Sequence, residues 1–280
     1  MRILTFDIED WFHIEFENNI NTWNSYPSRI EVNIERILDL LQKRNQTASF
    51  FCLGWIAERY PQILKKIDSC NYEIGSHSYD HKLIYEKTPE EFEEDLKRSL
   101  YSIEDAIGKK IKLFRAPAFS INEKTPWVFE ILCKYGIETD ASVFPAKRDF
   151  GGFPDFKYSR PVIIDYRGIR IKEFPVNTYR IAGFEFVFSG GGYFRLFPYF
   201  LIRHFIKESD YVIMYLHPRD LDPDQPLLKG LKGSRRFKSY VGLKNCYLKL
   251  EKTLSDYKFF NINGAIEQID WTKADVIYLQ

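Results

Sequence analysis

Hydrophobic positions along the chain switch between two periods. Ile3–Ile8 is a short β-rich run, and Thr47–Leu53 (TASFFCL) is almost continuously apolar, the pattern of a strand buried on both faces. Between them Ile30, Val32, Ile34, Ile37, Leu38 and Leu41 recur near helical spacing and predict a helix over Ile30–Gln42. Trp55–Ile67 reads as helix, with a break or restart at Pro61, and Tyr72–Ile74 as a strand that ends in Gly75-Ser76-His77. Thr88-Pro89-Glu90-Glu91 is a capping box; the helix it opens runs to Ile107 and stops at Gly108. Strand Ile111–Phe114, helix Pro126–Tyr135 and strand Ile137–Val143 follow. The stretch from Phe150 to Gly192 changes character. Short β-like runs at Val162–Tyr166 and Ile169–Pro175 lie among glycines and prolines, and 150–192 reads as inserted hairpins and loops. Helix Pro198–Glu208, strand Tyr211–Leu216 and helix Tyr240–Tyr257 then restore the alternation.

Repeated strand–helix units imply parallel strands with right-handed crossovers, as an open doubly wound sheet or a closed (β/α) barrel. No linker interrupts the pattern, so one domain over 1–280 is expected. In either architecture chemistry collects at the carboxyl ends of the strands.

Composition narrows the field. With 280 residues, 45% hydrophobic and 28% charged, the chain can bury a large core and is not disordered. A net charge of +1 gives no general pull toward nucleic acid. The aromatic share of 17% serves the core first, though a sugar-binding cleft would also use such rings. No apolar run is long enough for a transmembrane helix, and Met1 leads directly into the first strand; read as a whole chain, this predicts a cytoplasmic protein. Cys52, Cys70, Cys133 and Cys246 are widely spaced in apolar segments and read as buried free thiols. Phe197–Ile206 (FPYFLIRHFI) reads as a core helix, with a membrane-touching face as the alternative, and His13 and His204 read as structural.

Four polar clusters sit at predicted strand ends: Asp7-Ile8-Glu9-Asp10, His77-Ser78-Tyr79-Asp80-His81, Arg115-Ala116-Pro117 and His217-Pro218. His-x-x-x-His puts two imidazoles within reach of one cation, and a carboxylate would complete a three-ligand site with an open position. Three carboxylates within four residues repel one another, which a cation relieves. Arg115 could pair with a rim carboxylate and keep it ionised. His217, after a strongly apolar strand, could donate a proton over the metal. Ser76 and Ser78 read as loop hydrogen-bonders. Two weaker features remain. Gly190-Gly-Gly-Tyr-Phe-Arg195 permits close backbone approach, as a substrate loop with Tyr193 and Arg195 or as a structural turn. Lys229–Lys238 carries five basic residues and reads as a solvated loop, or as a cradle for a lipid pyrophosphate or nucleotide-sugar phosphate.

These clusters, in this order, resemble the NodB-type polysaccharide deacetylases, carbohydrate esterase family four: Thr5-Phe6-Asp7, His77-Ser78-x-x-His81, Arg115-x-Pro117 and Leu216-His217. Asp7 to Phe12, Leu53-Gly54-Trp55, Asp140-x-Ser142-x-Phe144-Pro145, Gly190 to Arg195 and Leu216-His217-Pro218 are similar to the branch found in exopolysaccharide gene clusters of the PEP-CTERM type. The resemblance implies a distorted (β/α) barrel with fewer than eight regular units. It implies Asp7 as general base, His77 and His81 as ligands of a divalent metal (zinc first), Arg115 as orienter of the base and His217 as acid. The family's third ligand directly follows the base. Ile8 stands there, leaving Glu9, on the strand face of Asp7, and Asp10 as alternatives; a third option, Glu9 as base with Asp10 as ligand, fits the Thr5-Phe6-Asp7 match less well. Ala118 stands where the family has a Tyr whose backbone N–H serves the oxyanion. The acid's Asp partner has no clear counterpart; Asp140 is the expectation. The implied reaction is removal of an N-acetyl group from an amino sugar of a bacterial surface polysaccharide or its precursor, with lipid- and nucleotide-linked forms among the candidate substrates. The rivals are an allantoinase- or imidase-like amide hydrolase and a non-catalytic sugar-binding module.

Overall fold

The computed structural model describes residues 1–14, 19–181, 184–228, 230–231 and 233–280. Eleven strands occur among them: β1 (Arg2–Ile8), β2 (Ser49–Cys52), β3 (Glu73–Ser76), β4 (Leu113–Phe114), β5 (Thr139–Asp140), β6 (Val162–Tyr166), β7 (Ile169–Glu173), β8 (Tyr179–Ile181), β9 (Phe184–Phe186), β10 (Val212–Leu216) and β11 (Val276–Leu279). Nine form one sheet, ordered β10-β1-β2-β3-β4-β5-β7-β6-β11, while β8 and β9 pair separately. Every neighbouring pair in the large sheet is parallel except β6–β7. The architecture is a mixed α/β parallel sheet wrapped by helices, a distorted barrel that hydrogen bonding does not close among the described residues.

Strand periodicity divides the core in two. Leu4, Phe6, Ile8, Phe50, Cys52, Phe114, Met214 and Leu216 face the helices and join the main apolar cluster. Ile3, Phe51, Leu113, Ala141, Phe174 and Ile213 face the other way and form a smaller cluster inside the curve of the sheet. Burial on both faces explains the continuously apolar Thr47–Leu53 pattern.

Parallel register aligns the strand ends. Ile8 lies opposite Cys52, Cys52 opposite Ser76, Ser76 opposite Phe114, and Phe114 opposite Asp140. Glu9, His77 and Arg115 each follow the last residue of one of these strands, so one row of pairings carries them to the same rim.

Helices form where capping chemistry asks for them. Pro89–Ile107 begins at Thr88 with the reciprocal Thr88–Glu91 bonds and ends at Gly108 in the left-handed conformation (φ 69°). Pro61 restarts the helical segment, giving Gly54–Arg59 and Pro61–Ser69. Three expectations change. The β6–β7 hairpin is built into the main sheet, with β7 parallel to β5, rather than inserted outside it. Of the Lys229–Lys238 stretch expected as loop, residues from Gly233 on lie in a helix, Gly233–Tyr240; Lys229 and Lys232 lie outside the described residues. Val276–Leu279 adds a strand that pairing with β6, not its own sequence, defines. All four cysteines are free; Cys52 and Cys246 are buried and the other two half-buried. Among the described residues no helix is long and apolar enough to cross a membrane.

Candidate active site

β1 alternates. Ile8 joins the helix-side core, fully buried, and cannot reach the rim. Thr5 and Asp7 face the interior of the sheet with Arg115. Arg115 is fully buried; its Nη1 donates to Asp7 Oδ1 and to Thr5 Oγ1, both at 2.7 Å, and its Nε to the Ala141 carbonyl at 3.0 Å. Thr5 in turn donates to the Met214 carbonyl at 2.8 Å. The guanidinium lies over the Phe51 ring, 4.1 Å from its centroid. Three strands therefore fix the Asp7 carboxylate.

Glu9, the first residue beyond β1, returns to the rim. Its Oε1 lies 2.9 Å from both His77 Nε2 and His81 Nε2. His77 Nδ1 donates to the Arg115 carbonyl at 2.8 Å, because a carbonyl only accepts; this leaves Nε2 directed at Glu9. Burial alone would favour the neutral acid of Glu9. The imidazoles of His81, His217 and His77 outweigh it and hold the carboxyl well below its usual range.

The loop that presents His81 is strained: Ser78 (φ 66°) and His81 (φ 57°) are left-handed. Asp95, from helix Pro89–Ile107, holds it by accepting the Tyr79 and Asp80 N–H groups at 3.0 and 3.2 Å. Lys87 Nζ lies 2.8 Å from both the Asp80 and the Asp95 carboxylate. Ser76 bonds as expected, its Oγ to Ser99 Oγ; Ser78 contributes only its carbonyl, which accepts from Ser99 Oγ, and its own hydroxyl is buried with no partner among the described residues.

Two buried imidazole nitrogens and a carboxylate oxygen within 4.8 Å of one another, one imidazole oriented by a backbone carbonyl, are the donor set of a divalent-metal site. The residues fit such an ion. Asp10 does not belong to the set. Its Oδ1 accepts the Trp11 N–H at 2.8 Å, and its Oδ2 accepts Ser28 Oγ at 2.6 Å and the Arg29 N–H at 2.9 Å. It braces the start of helix Ile30–Lys43 instead, so geometry separates the two alternatives.

His217, beyond β10, approaches from the other side. Its Nε2 is 3.9 Å from Asp7 Oδ2 and 4.0 Å from Glu9 Oε1. Its Nδ1 lies 3.0 Å from Asp220 Oδ2, which also accepts the His217 N–H at 2.9 Å. Burial works against the imidazolium; the carboxylates of Glu9, Asp220 and Asp7 overcome it and raise the pKa to about 9. Asp220, not Asp140, is thus the partner of His217. Asp140 accepts from Ser142 Oγ at 2.5 Å and pairs across the sheet with Glu173. The missed residue carried a signal: His217-Pro218-Arg219-Asp220 has the spacing of Thr88-Pro89-Glu90-Glu91, and Asp220 accepts the His217 N–H just as Glu91 accepts that of Thr88.

Ala118 lies in the turn Pro117–Phe119 just beyond Arg115, with Ala118 and Phe119 both left-handed (φ 51° and 55°). Tyr193 is 46% exposed, its ring 6.4 Å from Phe197 in a stacked pair. Arg195 is buried and committed to protein partners, which removes it from direct substrate contact. His13 packs among Trp23, Trp55 and Phe12, a structural position as expected. A cavity of about 420 Å³ opens at the opposite, amino end of the sheet, but its lysines Lys109, Lys110 and Lys112 are paired with Asp68, Glu104 and Glu138. The chemistry lies at the carboxyl end.

Residues 3–138 match the family described as polysaccharide deacetylase, and residues 141–267 match a domain of unknown function, DUF3473. A peptidoglycan deacetylase of Helicobacter pylori is 31% identical over 113 residues, 40% of this chain and 38% of that protein. A peptidoglycan-N-acetylglucosamine deacetylase of Bacillus cereus is 29% identical over 108 residues, 37% of this chain and 39% of that one. The matches therefore span less than two fifths of these relatives. A Mycobacterium smegmatis crystal structure assigned as a polysaccharide deacetylase superposes with TM-score 0.66 at 14% identity, covering 100% of this chain and 94% of that one. A CE4 family pseudoenzyme from Bacillus anthracis superposes with TM-score 0.52 at 17% identity, covering 100% and 70%. Such identities show the fold alone.

Proposed function

We propose, on the premise that this chain is a member of the polysaccharide deacetylase family, as its family match, relatives and fold support, that it hydrolyses the N-acetyl group of an amino sugar and releases acetate. The observation that carries the reading is Glu9 Oε1 set 2.9 Å from two imidazole nitrogens, with Asp7 and His217 beside it. Glu9, His77 and His81 would hold a divalent ion, zinc being the natural choice for this donor set, whose charge acidifies water and polarises the acetamide carbonyl.

Asp7, oriented by Arg115, removes a proton from the attacking water. His217 stands across from it as the imidazolium and gives its Nε2 proton to the sugar nitrogen as the C–N bond breaks. Asp220 stays ionised and keeps the Nδ1 proton in place. A backbone N–H of the Pro117–Phe119 turn, that of Ala118, is the candidate donor to the oxyanion. No Ser or Cys nucleophile is required. The substrate we favour is a bacterial surface polysaccharide or its lipid- or nucleotide-linked precursor, with the exopolysaccharide branch suggested by the Asp7–Phe12 and Gly190–Arg195 motifs.

The test is acetate release from N-acetylglucosamine oligomers. Turnover that a chelator abolishes, a divalent ion restores and Asp7→Asn reduces by about 10²- to 10⁴-fold supports the proposal. A protein that binds the ion and the oligomer yet releases no acetate is a sugar-binding module, as the Ile8 substitution invites one to ask.

A further inference from the structure

The triple-glycine turn leads into a buried arginine whose donors are turned to protein groups. Arg195 Nε lies 2.8 Å from Asp220 Oδ1, off the hydrogen-bond direction. Its Nη1 donates to the Ser239 and Val241 carbonyls at 3.2 and 2.8 Å, and its Nη2 to the Lys238 carbonyl at 2.9 Å. The two oxygens of Asp220 are divided: Oδ2 holds His217 twice, and Oδ1 faces the guanidinium. The glycines make this possible. A Cβ on Gly191 would stand 2.0 Å from Asp220 Oδ2, and one on Gly190 2.1 Å from the Tyr215 phenol oxygen. Gly242, left-handed at φ 72°, lets the chain turn under Arg195, where a Cβ would stand 2.3 Å from its carbonyl oxygen. Lys249 Nζ closes the frame by donating to the carbonyls of Phe194, Arg195 and Phe197 at 2.8, 3.0 and 2.6 Å.

We infer that Arg195 is a positioning residue for the proton donor: it neutralises and immobilises Asp220, so that His217 keeps its Nδ1–H fixed and presents its Nε2 proton to the departing nitrogen. This rests on the reaction proposed above. The step is balanced within the site. The C–N electron pair stays on nitrogen, the His217 Nε2 proton joins it, and neither Asp220 nor Arg195 gains or loses a proton. Without the guanidinium the buried Asp220 carboxylate would face the His217 imidazolium alone, free to shift at Oδ1 or to take up a proton, and either outcome loosens the imidazole. Five donors in a planar fork suit Arg, and not Lys, to join one carboxylate and three carbonyls.

A residue that merely holds the fold would affect all substrates alike. A donor-positioning residue affects those whose leaving group needs a proton. The experiment compares Arg195→Met, Arg195→Lys and Asp220→Asn on an N-acetylglucosamine oligomer and on 4-nitrophenyl acetate, whose phenolate leaves unprotonated. For the oligomer, kcat should fall by about 10- to 100-fold with KM within about twofold, while ester turnover changes less than about threefold. The double variant Arg195→Met/Asp220→Asn should be no worse than Asp220→Asn alone. In the metal-free protein the proton NMR signal of His217 Nδ1–H should persist in wild type and vanish in Arg195→Met. Equal losses on both substrates, additive losses, or an undisturbed Nδ1–H signal overturn the inference. Should Arg195→Met not fold, Arg195→Lys decides by the same ratios. A wild type inactive on the oligomer defeats the deacetylase reading, and the NMR arm still judges Arg195.

Discussion

The two halves of the rim hold their functional groups by different physics. The half built from β1, β3 and β4 brings Asp7, Glu9, His77 and Arg115 to one rim by strand register, and there carbonyls of the sheet set the angles of the side chains that hold the acids: the Arg115 carbonyl orients the His77 ring beside Glu9, and the Ala141 carbonyl orients the guanidinium that pairs with Asp7. The half built from β10 supplies His217 from one strand end, but Asp220 comes from a one-turn cap and Arg195 from a glycine-rich helix. There the order is electrostatic, a buried chain of cation, anion and imidazole. The first half coincides with the deacetylase family match and the second with the domain of unknown function. Register sets the first group of side chains; charge sets His217, and charge can change with pH.

That contrast can be broken at several points. Glu9→Gln should have the largest effect, leaving the fold intact while metal content, measured by elemental analysis, and acetate release both fall to background. Retained stoichiometric metal would move the third ligand elsewhere. Next comes Arg115→Met, which strands a buried Asp7 carboxylate; a loss of about 3–5 kcal/mol in denaturant-derived stability is expected, large for a single side chain. On the other half, Asp220→Asn removes one of the carboxylates that raise His217. In metal-free protein, NMR titration should find His217 near 9 in wild type and clearly lower in the variant. The sign matters. Because the folded pKa exceeds the usual 6.5, the stabilisation by this imidazolium is complete below about pH 6.5 and is lost as pH rises through 9. A wild type less stable at pH 6 than at pH 10, with other groups matched by the variant, contradicts it. Gly191→Ala pushes a methyl into Asp220 and should cost about 1–3 kcal/mol in a thermal melt, with N-deacetylation hit harder than ester cleavage. Smallest is Asp10→Asn, which keeps the metal and weakens the start of helix Ile30–Lys43 by about 1 kcal/mol.

The same division governs how much could be read from the sequence. Strand ends are legible because a continuous apolar run followed by a polar cluster marks both the strand and its exit, so the shared rim of Asp7, His77, His81, Arg115 and His217 can be read from the sequence. The choice between Glu9 and Asp10 was not legible, because both follow the strand and only the chain's path toward Ser28 and Arg29 turns Asp10 away. Asp140 was a wrong expectation for the acid's partner. Its neighbour across the sheet, Glu173, is set by a β5–β7 pairing that no local pattern announces. Arg195 was legible as important and misread in role: a glycine-rich turn states that something comes close, not whether it is substrate or Asp220.

The most direct test of the metal-centred account is anomalous diffraction from crystals soaked in zinc. A single strong peak bonded to Glu9 Oε, His77 Nε2 and His81 Nε2, with Asp7 and His217 flanking it, is the predicted result. No peak there, or one coordinated by Asp10, would contradict it.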